Sequence, residues 1–323
     1  MNFQTIEPVN SGKFYLDVAI QKGIRYANSM SIKLRDEDKK ALIKEKARVK
    51  VIKDSLSKSL VGVVHSFPGL DGLPEFYYEL SLSSFDVDLV KQALSAIAWA
   101  PRKINDLERD FVKSVRGKTK ADIIRAKKSF IGRVSSIMKR LNSKLDLLEN
   151  TRRVLLSFPD IKDDLFTVCI CGFPNVGKST LLSKITSSKP EIGSYAFTTK
   201  SLNTGYFKHS FEKVQIVDVP GTLNRFERMN NVERQAHLAI RYLANLVVYV
   251  YDLTEPYSLA EQDLLYEHTL SLGKEVVVYF SKVDLLGEAK IKKFIADKNL
   301  VNAIFSASEL KDLIISKKRA ERN

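Results

Sequence analysis

The chain has 323 residues, 44% of them hydrophobic, with 52 Lys and Arg against 38 Asp and Glu for a formal net charge of +14. That length predicts about two domains, each able to bury a core. No apolar run approaches the ~18 residues of a membrane span, and residues 1–8 lack the basic and apolar stretches of a secretory signal; a soluble, cytoplasmic protein without membrane contact is expected.

Residues 1–160 hold most of the basic excess, +11 of the +14. Their apolar residues recur at helical spacing: Val49, Ile52, Leu56 and Leu60, then Ile104, Leu107, Phe111 and Val115, then Ile131, Val134, Met138, Leu141, Leu145 and Leu148. Such stripes are the inward faces of amphipathic helices. Pro68, Gly69, Gly72 and Pro74 interrupt the pattern and Arg116-Gly117 stops it, which predicts an all-α antiparallel helical bundle. Between the stripes stand Lys39, Lys40, Lys44, Lys46, Arg48, Lys50 and Lys53, and later Arg125, Lys127, Lys128, Arg133, Lys139, Arg140 and Lys144. Basic helix faces suit RNA phosphates, which demand charge but no base code; ordinary solvated faces share that composition. Pro159 and the acids within residues 157–164 mark a domain boundary.

Residues 161–323 change texture. Strands are expected at 166–171, 204–208, 214–219, 246–251, 275–281 and 301–305, and helices at 179–186, 232–243 and 259–272. The alternation predicts an α/β domain with a mostly parallel sheet, flanking helices, and ligand loops at the carboxyl ends of the strands. The first strand runs into Gly172-Phe173-Pro174-Asn175-Val176-Gly177-Lys178-Ser179, followed by Thr180. This is a phosphate loop in its strand-to-helix setting. Glycines turn backbone N–H groups toward the anion, Lys178 reaches the β- and γ-phosphates, and the Ser179 hydroxyl ligates Mg²⁺ at a helix N-terminus.

Four further pieces follow in the order a GTP switch protein needs. Thr198 and Thr199, within residues 195–200, supply a first switch in which a hydroxyl and an N–H meet Mg²⁺ and the γ-phosphate. Asp218 and Gly221 form Asp-x-x-Gly at a strand end, a carboxylate for magnesium and an N–H that senses the γ-phosphate; a second switch is expected over 222–231. Ser281-Lys282-Val283-Asp284 follows the 275–281 strand, and Asp284 accepts from guanine N1–H and the exocyclic amine, a donor pair adenine lacks. Ser306-Ala307-Ser308 offers backbone N–H groups to guanine O6. GTP or GDP with Mg²⁺ is the expected ligand, and Lys178, Thr199 and Gly221 are expected at the reacting phosphate.

With these pieces, with the unusual run Ser194-Tyr195-Ala196-Phe197-Thr198-Thr199-Lys200-Ser201-Leu202, and with Glu233-Arg234-Gln235-Ala236 and Asp252-Leu253-Thr254-Glu255, the chain resembles the Obg superfamily of GTPases. Within it, the chain resembles the nucleolar GTP-binding protein (Nog) family. Ser66-Phe67-Pro68 and Pro74-Glu75-Phe76-Tyr77 are similar to the domain that precedes the GTPase core there. The resemblance covers nearly the whole chain, and the short carboxyl end is similar to the compact archaeal members. It implies a GTPase acting in assembly of the large ribosomal subunit, with ribosomal RNA, large-subunit precursor particles and other assembly proteins as partners.

Two positions depart from the common GTPase pattern. Ser281 stands where many GTPases carry an asparagine whose amide braces the phosphate loop, and Thr222 follows Gly221 in place of a water-orienting glutamine. The second departure implies slow intrinsic hydrolysis completed by a partner. Asn175 is a candidate potassium anchor, since some related GTPases hold K⁺ at this asparagine and a cation there supplies charge to the transition state; a loop-bracing amide is the other reading. A GTPase of tRNA modification or translation control, and a GTP-binding scaffold with little hydrolysis, are the alternatives that fold alone leaves open. Cys169 and Cys171 alternate toward one buried face as free thiols. His65, His209, His237 and His268 lack metal-ligand spacing and are expected in surface or packing roles.

Overall fold

The computed structural model describes residues 3–162, 164–186, 202–209, 212–219, 231–254, 257–298, 300 and 303–321, with backbone alone for 231–233 and 288–289. These fall into two compact units, one of Phe3–Leu73 with Phe85–Leu156, the other of Pro74–Ser84 with Ser157–Asn323.

The first unit is built from α1 (Gly12–Ser29), α2 (Glu37–Ser66), α4 (Val87–Ser114) and α5 (Lys120–Leu156); α3 (Glu75–Ser84) lies between them in the chain but belongs to the second unit. Each start has a local cause. Ser11 accepts from Phe14 N, Asp36 from Asp38 N and Lys39 N, and Asp86 from Leu89 N, so side chains satisfy N–H groups that the first turn leaves unpaired. Gly117, at φ 66°, reverses the chain between α4 and α5. The expected stripes bury Val49, Ile52, Leu56 and Leu60 of α2 and Val134, Met138, Leu141, Leu145 and Leu148 of α5. Ile131 does not join them: Phe130 takes the inward position and Ile131 is half-buried, because 130, 134 and 138 recur at intervals of four where 131 points ~100° further round the helix. Leu107 is also half-buried, whereas Ile104, Phe111 and Val115 are buried as expected.

Charge clusters help fasten this unit, two of them around Glu149 and Glu45. Glu149 of α5 accepts from Arg152 Nε (2.8 Å) and Nη2 (2.9 Å), Arg153 Nε (3.0 Å) and the backbone N of Val9 (3.0 Å), tying the amino-terminal segment to α5. The guanidinium beside it holds the Glu149 carboxyl down at about 2. Glu45 is buried and accepts from Arg48 at 2.9 Å and Lys127 at 3.2 Å. Arg48 and Lys127, expected on basic faces, are therefore spent inside the bundle.

The second unit is a six-stranded sheet: β1 (Thr167–Cys171), β2 (Asn203–His209), β3 (Glu212–Asp218), β4 (Leu246–Asp252), β5 (Val276–Ser281) and β6 (Ala303–Ile304). Its order is β2-β3-β1-β4-β5-β6, with every pair parallel except β2 with β3. β1 and β4 are buried at every position, the mark of strands covered on both faces. The helices are α6 (Lys178–Ile185), α7 (Asn231–Leu243), α8 (Leu259–Ser271), α9 (Glu288–Lys298) and α10 (Ala307–Ala320). Cys169 Sγ points at Ala239 O of α7 and Cys171 Sγ lies 4.0 Å from Thr269 Oγ1 of α8; both thiols are free, and burial pushes the Cys171 thiol up to about 12.

Residues 74–84 are counted with the amino-terminal half in the sequence reading, yet α3 packs against α7. The buried Tyr77 hydroxyl donates to Pro159 O (2.8 Å) and accepts from Ile161 N (2.9 Å), and Arg234 donates to Ser83 O (3.3 Å). Gln215 of β3, fully buried, completes the clamp on the linker: its Oε1 accepts from Lys162 N and its Nε2 donates to Thr167 Oγ1. Among the described residues no helix is long and apolar enough to cross a membrane.

Candidate nucleotide-binding site

The central strand β1 delivers the phosphate loop to the carboxyl edge of the sheet. Gly172 has φ 142°, and a Cβ there would lie 2.7 Å from Val250 O of β4, so only glycine lets the loop leave the strand at this angle. Asn175 (φ 63°) and Gly177 (φ 97°) are left-handed as well, which curls the loop into a concave nest before Lys178 begins α6. Phe173 and Val176 are buried, and the Phe173 ring packs 4.8 Å from the Tyr257 ring. Those contacts hold the loop from below. Pro174 is half-buried, while Asn175, Ser179 and Thr180 are exposed.

Lys178 is 7% exposed and its Nζ donates to Gly172 O (3.0 Å) and Phe173 O (2.6 Å). The ammonium thus closes the nest on its own carbonyls, poised beside the volume a phosphate would fill. Ser179 Oγ donates to Asp218 Oδ2 across 2.6 Å, and Asn203 Nδ2 reaches the same oxygen at 3.5 Å. Asp218 Oδ1 is buried without a hydrogen-bond partner among the described residues, and burial raises the carboxyl above its ordinary 3.8 against the opposing Ser179 bond. A buried carboxylate oxygen lacking any donor is a costly arrangement without a cation. A hydroxyl and a carboxylate at the mouth of a phosphate nest are the hard-oxygen donors Mg²⁺ takes when phosphates complete its shell, so the residues present fit the ion.

At the far side of the edge, Ser281 ends β5. Its hydroxyl donates to Tyr251 O (3.1 Å) of β4, and its Cβ lies 3.6 Å from where a Cβ on Gly177 would stand. Ser281 therefore faces the phosphate loop at Gly177, with its hydrogen bond turned to β4. Lys282 is left-handed (φ 51°) and ion-paired with Asp252, and Asp284 stands exposed on the 3-10 turn Val283–Leu285. Ser306 caps α10 by accepting from Glu309 N at 3.1 Å, its Oγ 3.1 Å from Ser308 Oγ, with Ala307 opening the helix. Phosphate loop, Asp218, Ser281 to Asp284 and Ser306 to Ser308 thus gather along one sheet edge, the ends of β1, β3, β5 and β6. Thr198, Thr199, Gly221, Thr222 and the two expected switches up to residue 230 lie outside the described residues.

Asp252 was not singled out as a site residue from sequence. It is fully buried at the end of β4, accepts from Thr254 N (2.9 Å) and Lys282 Nζ, and its own N–H donates to Gln262 Oε1 (3.1 Å). The signal available was a carboxylate ending an apolar strand at the ligand edge. Asn175 Oδ1 and Nδ2 make no hydrogen bond among the described residues.

Residues 3–162 match the family model described as the NOG1 N-terminal helical domain, and residues 167–282 match that of the 50S ribosome-binding GTPase. A protein of Methanocaldococcus jannaschii, uncharacterised, is 36% identical over 280 residues, covering 85% of this chain and 78% of that one. The chain belongs to the nucleolar GTP-binding protein family. Nucleolar GTP-binding protein 1 of Drosophila melanogaster is 33% identical over 314 residues, 93% of this chain and 48% of that protein. This Nog-family chain spans about half, or less, of the length of the nucleolar GTP-binding proteins it matches. The G domain of the T. maritima FeoB iron transporter is similar to 48% of this chain, over 99% of its own, at 22% identity and a TM-score of 0.39.

Proposed function

We propose that this Nog-family protein is a GTP-binding switch of large ribosomal subunit assembly that hydrolyses GTP slowly alone and faster with a partner. The observation that supports the reading is Asp218 Oδ1, unpaired among the described residues, beside Ser179 at the mouth of the Lys178 nest, an arrangement that suits magnesium and a triphosphate. Lys178 would exchange its bonds to Gly172 O and Phe173 O for phosphate oxygens, backbone N–H groups of the nest would hold the β-phosphate, and Ser179 and Asp218 would hold Mg²⁺, which supplies charge neutralisation between phosphates. Thr199 and Gly221 would close on the γ-phosphate. Asp284 reads guanine, Lys282 flanks it, and Ser306 to Ser308 meet O6. With Thr222 after Gly221 no side-chain amide orients the water, hence slow hydrolysis; K⁺ at Asn175 would add charge.

The ribosomal part rests on the family and on charge. Lys50, Lys128, Arg133, Lys139 and Arg140 are exposed and make no ion pair among the described residues, which leaves them available to RNA phosphates. The test is co-sedimentation of the full chain with large-subunit precursor particles in GTP and in GDP, followed by cross-linking to the bound RNA. Precursor binding that depends on the nucleotide is expected; co-purification with tRNA and not with particles would overturn the assignment.

A further inference from the structure

Trp99 is the only tryptophan of the chain and stands 53% exposed on α4. An aromatic side chain of this size contributes ~150–250 Å² when buried, so half exposure leaves a large aromatic surface open to solvent. Its neighbours along the same face of α4, one turn away, are the half-buried Ala96 at i−3 and the exposed Ser95, Arg102 and Lys103 at i−4, i+3 and i+4. Lys103 Nζ lies 5.8 Å from the ring centroid, within reach of the indole π-face. Arg109, further along, leans toward Asp106 at 3.9 Å, whereas Arg102 and Lys103 form no ion pair among the described residues.

This composition separates two occupants. A protein hot spot sits in an apolar patch that a partner seals from water, yet Trp99 is bordered by one small methyl, a hydroxyl and two cations that form no ion pair among the described residues. A single-stranded nucleic acid needs what is present: a π-face on which a base stacks, and cations within ~6 Å along the helix axis for the adjoining phosphates. We propose that Trp99, with Arg102 and Lys103, forms a stacking site for one unpaired base of single-stranded RNA. The site rests on the RNA contact proposed above and deepens it: α4 reads strandedness, while exposed lysines and arginines elsewhere in the unit hold phosphates of any RNA.

The sole tryptophan reports on itself. Full-length protein is titrated with end-labelled oligoadenylate and with duplex RNA of equal length, following tryptophan emission and label anisotropy in the same cuvette. Oligoadenylate quenches the emission in step with the anisotropy, and duplex RNA binds with little quenching. Trp99→Ala weakens oligoadenylate binding by about tenfold and Trp99→Phe by less, in keeping with base stacking. Arg102→Ala with Lys103→Ala lowers the slope of log affinity against log salt by about 1.4. If oligoadenylate raises the anisotropy with no quenching and Trp99→Ala binds like the parent, the stacking site is wrong while RNA contact stands. Absence of anisotropy change at low salt overturns both, and quenching by anionic lipid vesicles or a ribosomal protein in place of RNA reassigns the ring to that partner.

Discussion

Ser179 Oγ donates to Asp218 Oδ2 across 2.6 Å, joining the first turn of α6 to the end of β3. That bond uses one oxygen of a buried carboxylate and leaves the other unpaired among the described residues. Asp218→Asn is expected to remove the gain in GTP affinity that Mg²⁺ confers, seen by calorimetry with magnesium and with a chelator. Because burial raises the Asp218 carboxyl above 3.8, its protonated form accumulates at higher pH than for a free aspartate. The magnesium-dependent part of the affinity should therefore fade on acidification before an ordinary aspartate would titrate; a gain that is flat to pH 4 contradicts the role.

Lys178→Ala removes the ammonium that closes the nest. A charge-assisted hydrogen bond is worth about 1.5–3 kcal/mol, so GTP and GDP affinity should fall by at least about tenfold with an unchanged far-ultraviolet circular dichroism spectrum. Equal calorimetric affinity for parent and variant rules the phosphate assignment out.

Asp284 and Asp252 carry opposite expectations although both lie near Lys282. Asp284→Asn should weaken GTP by more than about tenfold and improve xanthosine triphosphate, because the amide matches the altered purine edge. Asp252→Asn loosens Lys282 and should weaken both nucleotides together. Competition binding with the two triphosphates separates the cases.

Asn175 has an exposed, left-handed backbone position and no hydrogen bond from its amide among the described residues. Single-turnover hydrolysis should be faster in potassium than in sodium, and Asn175→Ala should abolish the difference. Identical rates in the two salts remove the cation while leaving the GTPase intact.

Glu149 links α5 to the amino-terminal segment, and its carboxyl is lowered from 4.5 to about 2. A carboxylate with a depressed native pKa contributes stability that is complete above 4.5 and lost as pH falls toward 2. Glu149→Gln should cost on the order of 1–2 kcal/mol at neutral pH after solvent screening, with the gap to the parent closing between pH 4.5 and 2. Urea unfolding across that range measures it, and a pH-independent gap would assign the loss to hydrogen bonding alone.

The strands of the second unit and its helices α6, α7 and α8 were legible in outline, since β1 and β4 are apolar runs ended by chemistry-bearing loops, whereas α9 and α10 were not expected from the sequence. Boundaries moved by a residue or two where caps decide them, as at Lys178, which opens α6 directly after left-handed Gly177. Less legible was α3. Phe76, Tyr77 and Leu80 are buried, but a short amphipathic helix does not state which core its apolar face enters, and here the answer depends on the Tyr77 hydroxyl meeting Pro159 and Ile161. A cut after residue 160 would divide that contact. His237 and His268, scattered in sequence, stack with ring centroids 6.0 Å apart where α7 and α8 both meet β1, at Cys169 and Cys171, and burial lowers the pKa of both imidazoles.

By itself the sequence determined the ligand chemistry and the family, because a phosphate loop is a local object: consecutive backbone N–H groups, one lysine and one hydroxyl act within a single strand-to-helix turn, and contiguous residues specify it. It also placed the basic excess in the first half of the chain. Tertiary structure alone decided which charges remain available. Arg48 and Lys127 are consumed by buried Glu45, Lys282 is held by Asp252 from another strand, and Arg102 and Lys103 are left beside an exposed Trp99. Those outcomes depend on which faces meet across distant segments, and helical periodicity fixes the direction of a side chain on its own helix without naming the element opposite.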